Sequence, residues 1–299
     1  MRDGGRERQL IARGTRGAAL AGLAAAGLAI AHGAPGLTAI GPLRRRLFPR
    51  LAGLGRPDHV ALTFDDGPDP ASTPAFLDLL AERKTRATFF LLGSMVAGAP
   101  QLAAEIAGTG HEIAVHGWDH RYTILRSPWD VNDDLARARD AVRGATGQRP
   151  RFFRPPYGVL SLGAIAAARS LGLTPVLWSS WGREWVPGAT GDSVFATVMA
   201  DLTGGATILL HDSDCTAPAG AASAALGALP RLLDECAARR LAVGTLADHG
   251  LDQRMAAGRQ GTPPDGGRRE SEFAYRRMST RPTRILRKRS ASVQADAAY

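Results

Sequence analysis

With 299 residues, 44% of them hydrophobic, the chain can bury a sizeable core, and one α/β barrel plus tails accounts for its length. The formal charge of +9 points to a polyanion partner only until it is divided along the chain: residues 1–16 carry +3, residues 252–299 carry +6, and the body between them sums to zero. A neutral body argues against nucleic acid as its partner and confines any polyanion binding to the ends, while Cys215 and Cys236 alone give neither a disulfide framework nor a zinc knuckle.

Residues 1–57 read as an N-terminal extension. Gly17 to Leu43 contains no Asp, Glu, Lys or Arg, and its Ala, Leu and Gly run follows Arg13 and Arg16 as the apolar part of a signal peptide would. Pro35 and Pro42 interrupt it, and Arg44, Arg45, Arg46 and Arg50 follow, so a signal, a weakly membrane-associated anchor and a soluble helix stay open, as do cytoplasmic, anchored and exported locations. Residues 58–251 read as the main folded domain, in which β-rich runs (59–64, 87–91, 112–116, 151–153, 174–178, 206–210) alternate with helix-like segments (74–83, 99–108, 128–143, 162–170, 193–203, 221–238). That alternation predicts parallel β/α units. In the last helical run Leu226, Leu229, Leu232, Leu233 and Cys236 recur at mostly helical spacing, which marks a buried face. Residues 252–299 form a basic tail without period, including Arg287-Lys288-Arg289, and read as disordered.

Chemically capable residues stand at the ends of the strand-like runs: Asp65 and Asp66 after Phe64, His116 after Val115, Arg154 after Phe153, and His211 with Asp212 after Leu210. In a β/α barrel those ends share one face, where active sites are built. Asp66, His116 and His120 form a metal set of one carboxylate and two imidazoles suited to one Zn²⁺ or another divalent first-row ion, with positions left for water and substrate. Asp65, adjacent to a ligand, is the candidate to take a proton from an activated water.

Thr63-Phe-Asp-Asp-Gly-Pro68, His116 with His120, Arg154-Pro-Pro-Tyr157-Gly158 and Leu209-Leu-His211 resemble, in order, the motifs of the polysaccharide deacetylases, the NodB-homology domain or carbohydrate esterase family 4, over about residues 58–250. The resemblance implies a distorted (β/α) barrel that hydrolyses N-acetyl groups of amino sugars in a chitin-like or peptidoglycan glycan, with Asp65 as base, His211 as acid, Arg154 holding Asp65, and Asp66, His116 and His120 binding the metal. It further implies an oxyanion contact from the Tyr157 backbone and an acetate methyl pocket at Leu209, with Pro156 and Trp185 also at the substrate. A deacylase of a sugar-lipid head group and an inactive carbohydrate-binding relative are the alternatives, and no obligate protein partner is evident. Two departures stand out: Gly117 where the family commonly has Ser or Thr, and Trp178-Ser-Ser-Trp181-Gly-Arg-Glu184-Trp185 where many members carry a D-x-D-like segment. The carboxylate that tunes His211 is therefore left among Glu184, Asp212 and Asp214, and Trp118, Trp181 and Trp185 are candidates for a sugar-stacking wall.

Overall fold

The computed structural model describes residues 22–251, so part of the 17–43 segment and all of the 252–299 tail lie outside the described residues. Strands β1 (His59–Asp65), β2 (Thr88–Leu91), β3 (Glu112–Val115), β4 (Phe152–Phe153), β5 (Thr174–Pro175), β6 (Ser180–Trp181), β7 (Thr207–His211) and β8 (Ala242–Gly244) form one eight-stranded sheet. Its order is β5-β4-β3-β2-β1-β7-β6, with β8 also on β1, and every pairing is parallel. Parallel neighbours need crossovers, and helices supply most of them: α2 (Thr73–Glu82), α3 (Gly93–Gly98), α4 (Pro100–Gly108), α5 (Pro128–Thr146), α6 (Leu162–Ser170), α7 (Gly191–Asp201) and α8 (Ala221–Ala238), after a short α1 (Gly41–Leu47). The sheet curls into the expected distorted barrel, left open between its edge strands β5 and β6.

The central strand β1 is buried on both faces, as a near-continuous apolar run requires. Val60, Leu62 and Phe64 meet helix residues such as Phe76, Leu80, Leu229 and Leu232, while Ala61 faces the barrel interior with Phe90, Ala114 and Phe152. Thr63 and Asp65 have the parity of Ala61, so the inward face becomes polar toward the carboxyl end. Helix α5 shows how the outer layer is cut from sequence: Ser127 accepts the Asp130 N–H at its start, Gly147 in the left-handed region (φ 69°) ends it, and Val131, Leu135, Ala138 and Val142 bury one stripe. Cys236 is in the core, as its spacing predicted.

The open seam is filled from the N-terminal side. Leu177 N–H donates to the Leu51 carbonyl at 2.7 Å, and Thr207 Oγ1 donates to the Gly53 carbonyl at 2.6 Å. Gly53 has φ 69°, and a Cβ there would lie 2.5 Å from Thr207 Oγ1, so only glycine fits. Arg44, buried, donates to the Thr38 carbonyl at 2.9 Å and the Trp178 carbonyl at 2.7 Å. Among the described residues no single helix is long and apolar enough to cross a membrane; Gly22–Ala39 and Gly41–Leu47 pass that test only as a pair, bent by 95°.

At the amino end of the strands, buried His59 and His249 meet Nδ1 to Nδ1 at 2.9 Å, and His249 Nε2 donates to the Gly53 and Gly205 carbonyls at 3.0 Å each. Neutral His249 therefore accepts at Nδ1 from the Nδ1–H of His59, an arrangement that a second proton on His249 breaks. Burial, with the His59 charge next, pushes His249 down to about 4; burial also takes His111 to about 4 and lowers His59. Unfolded imidazoles bind protons below about 6.5, whereas the folded ones resist until far lower, so stability present above that value is lost as pH falls from it toward 4. Denaturant midpoints measured from pH 7 to pH 4.5 should drop steadily in the wild type and less steeply in His249→Gln; identical slopes would exclude the pair as a source of acid sensitivity.

Candidate active site

The register brings the sequence-distant groups together. Asp65 is paired with His211 across β1 and β7, and Val115 with Phe153 across β3 and β4, so Asp65, Asp66, His116, Arg154 and His211 share the carboxyl end of the sheet. Arg154 turns inward and is fully buried. Its Nη1 donates to Asp65 Oδ1 at 2.6 Å and Thr63 Oγ1 at 2.9 Å, its Nη2 to the Leu177 carbonyl at 2.9 Å, and its Nε to the Val176 carbonyl at 3.3 Å, with the guanidinium 4.0 Å from the Phe90 ring centre. One side chain thus fixes Asp65 and ties β1 to the segment crossing the open seam.

Asp66, His116 and His120 offer three ligand atoms within 4.8 Å of one another. Asp66 Oδ1 lies 3.3 Å from His116 Nε2 and 3.6 Å from His120 Nε2. Donors held about 2.0–2.2 Å from a tetrahedral ion stand roughly 3.3–3.6 Å apart, so this spacing suits a metal. The donor states agree: His116 Nδ1 is 2.8 Å from the Arg154 carbonyl, which can only accept, so Nδ1 carries the hydrogen and Nε2 presents its lone pair. Asp66 Oδ1 is buried without a hydrogen bond. Burial alone would raise the Asp66 pKa, but the surrounding imidazoles of His116, His211 and His120 hold it below the usual carboxylate range; burial, then His116, takes His120 down to about 4. Thr216 Oγ1 donates to Asp66 Oδ2, leaving Oδ1 toward the two histidines.

Residues 117–122 form a loop rather than a helical turn. Gly117 has φ 94°, and the Trp118 N–H donates to Asp134 Oδ2 at 2.8 Å, so a carboxylate from α5 braces the loop in place of the missing hydroxyl. Trp118 packs under the Arg137 guanidinium, 3.4 Å from its ring centre, and does not line the cleft.

The cleft has a volume of about 390 Å³, and its walls include Asp65, His116, His120, Tyr157, Leu209 and His211, with Trp178, Trp181 and Trp185. Pro156 is buried and is not part of this lining. Tyr157 has φ 59°, held there beside Gly158 (φ 68°), whose missing Cβ would stand 2.5 Å from Trp178 Cη2. Tyr157 stacks on Tyr122 with centroids 3.9 Å apart, and its ring edges onto His120 at 4.3 Å. The sequence reading missed Tyr122 and Thr216; both lie on irregular segments where no periodicity points a side chain at the site.

The three candidate carboxylates for His211 separate cleanly. Glu184 Oε1 is 2.8 Å from His211 Nδ1, and Glu184 is buried. Asp212 Oδ2 instead accepts from Thr73 Oγ1 at 2.5 Å, and Asp214 caps the start of α8 by accepting the N–H groups of Gly220 and Ala222 at 2.7 Å each. Burial opposes a proton on His211, yet the hydrogen bond and charge of Glu184, with Asp66 and Asp65 beyond, hold its pKa up at about 9. In metal-free protein, an NMR titration of the His211 ring should show this elevated pKa in the wild type and a drop of more than one unit in Glu184→Gln. An unchanged value in the variant would rule out Glu184 as the cause.

Residues 53–176 match the polysaccharide deacetylase family. A chitooligosaccharide deacetylase of Bradyrhizobium sp. is 40% identical over 155 residues, 51% of this chain and 70% of that protein. A peptidoglycan-N-acetylglucosamine deacetylase of Bacillus cereus is 36% identical over 157 residues, 51% of this chain and 72% of that one. Among solved structures, the family 4 carbohydrate esterase from Streptomyces lividans, in complex with acetate, is similar at a TM-score of 0.56 and 30% identity, covering 62% of this chain and 92% of that chain. With the curled parallel sheet and the site at its carboxyl end, these likenesses establish that the chain belongs to the polysaccharide deacetylase family, the NodB-homology enzymes of carbohydrate esterase family 4, and is an amide-hydrolysing deacetylase.

Proposed function

We propose that the enzyme removes acetyl groups from N-acetylglucosamine units of a glycan, with one divalent metal ion, zinc by donor type, held by Asp66, His116 and His120. The observation that carries this reading is the pair of opposed titratable groups flanking the metal set: Asp65 anchored by Arg154 at 2.6 Å and His211 anchored by Glu184 at 2.8 Å. Relatives named for chitooligosaccharide and peptidoglycan-N-acetylglucosamine deacetylation support the substrate class.

When bound, the ion supplies a Lewis acid that lowers the pKa of a water toward about 7 and polarises the acetyl carbonyl. Asp65, its Oδ1 committed to Arg154, keeps Oδ2 3.7 Å from His116 Nε2, facing the metal set, and there accepts the proton of the attacking water. The tetrahedral oxyanion that follows needs a donor fixed in advance, which the backbone N–H of Tyr157 in its left-handed turn provides. His211, kept protonated by Glu184, gives its proton to the amine as the C–N bond breaks. Leu209 lies against the acetyl methyl, and Trp185, whose ring edges onto His211 at 5.3 Å, offers an apolar face to the sugar.

Purified enzyme should release acetate from chitooligosaccharides or peptidoglycan fragments, lose that activity on chelation, and regain it with zinc or another divalent transition metal. Full turnover by metal-free enzyme would overturn the metal assignment. Acetate released only from lipid-linked amino sugars would move the substrate to that class.

A further inference from the structure

The hydrolysis leaves one cation of the cleft unused. Arg183 lines the cleft beside Trp181, Trp185 and His211, and it is exposed. It forms no ion pair with any carboxylate of the described residues. Its guanidinium carbon lies 5.6 Å from the Trp181 ring centre, and its backbone sits in the left-handed region at φ 55°. For a residue with a long side chain that conformation costs on the order of 1 kcal/mol, which glycine would avoid. Its visible effect is to send two consecutive charges in opposite directions: Glu184 turns inward to His211 and is 2% exposed, while Arg183 stays at the mouth.

The carboxylates nearest the cleft leave this charge free. Asp65 is held by Arg154, Glu184 by His211, and Asp66 faces His116 and His120. A guanidinium left free at the rim of a glycan cleft, over the Trp181 indole that can support a sugar ring, is a fork matched to a planar oxyanion. A carboxylate, with its two coplanar oxygens, meets that requirement.

We infer that Arg183 forms a subsite for a carboxylate carried by a sugar next to the acetamido sugar, which makes the preferred substrate an acidic glycan. The inference rests on the glycan deacetylase reading above and narrows it. The carboxylate comes either from a lactyl ether on an amino sugar or from a uronic acid, and the two offer Arg183 the same group. Because the contact is made at a hydrated rim, its gain is modest, about three- to fivefold in affinity.

The test reads binding apart from turnover. Rapid-mixing tryptophan fluorescence follows association before hydrolysis, with N-acetylglucosamine oligosaccharides bearing a lactyl ether carboxylate, a uronic acid, or the same groups amidated. Wild-type enzyme should bind at least one carboxylate form about three- to fivefold more tightly than its amide, and salt should shrink the preference. Arg183→Gln should abolish it and Arg183→Lys should restore part of it. Preference for only one acid identifies the source of the carboxylate. Equal binding of acids and amides by the wild type, or a preference that survives in Arg183→Gln, overturns the subsite. Acetate release from the same compounds, measured separately, judges the deacetylase reading, so the two can fail independently.

Discussion

A guanidinium with no exposed surface governs both the fold and the chemistry. Arg154 enters the barrel from the end of β4, and every donor nitrogen finds an acceptor: Asp65, Thr63, and the carbonyls of Val176 and Leu177. Burial disfavours its charge, and Asp65 beside it opposes that trend. Removing one partner of such a buried pair costs about 3–5 kcal/mol, because the other charge is left without solvent or counter-ion. The same contact that makes the barrel interior tolerable thus fixes the direction of Asp65. Through its carbonyl, Arg154 also sets the tautomer of His116. One residue thus positions both Asp65 and His116.

The opposite wall follows the same logic with the charges reversed. His211 stands in register with Asp65 across adjacent strands, and Glu184 holds its outer nitrogen. Between these two anchored groups lie Asp66, His116 and His120, with Asp66 itself gripped by Thr216. Asp65 and His211 are anchored by different partners of opposite charge, as two proton transfers in one small cleft would require. The turn that sends Glu184 inward also leaves Arg183 at the rim, so the anchoring of His211 and the proposed recognition of an acidic sugar share a single backbone conformation.

Much of this was legible in the sequence because the fold places function at strand ends. Asp65, Asp66, His116, Arg154 and His211 each follow a β-rich run, and the alternation of runs predicts that those ends converge. The two-residue β6 and three-residue β8 were too short to show a period, and the 174–178 run forms a strand only over Thr174–Pro175. The partner of His211 could not be chosen from spacing, because it depends on the left-handed turn at Arg183, which no composition rule assigns to an arginine. Nor did the N-terminal residues announce their role: Arg44 and Gly53 read as part of a basic, glycine-bearing stretch, yet both pack into the seam beside Trp178 and Thr207. Trp118 was grouped with the cleft tryptophans by type alone, and its contact with Arg137 turns it elsewhere.

The central claim is a division of labour between two anchored groups, and the most direct measurement compares their variants on substrates with different leaving groups. Asp65→Asn and His211→Ala are assayed on an N-acetyl glucosamine oligomer and on an activated acetyl ester, with metal content measured in each protein as the control. The Asp65 variant should lose on the order of 10²–10⁴ in turnover on both substrates, since water must be activated in either case. The His211 variant should lose a comparable factor on the amide and far less on the ester, whose leaving group departs without a proton. Equal losses of the His211 variant on amide and ester, at full metal content, would contradict the account.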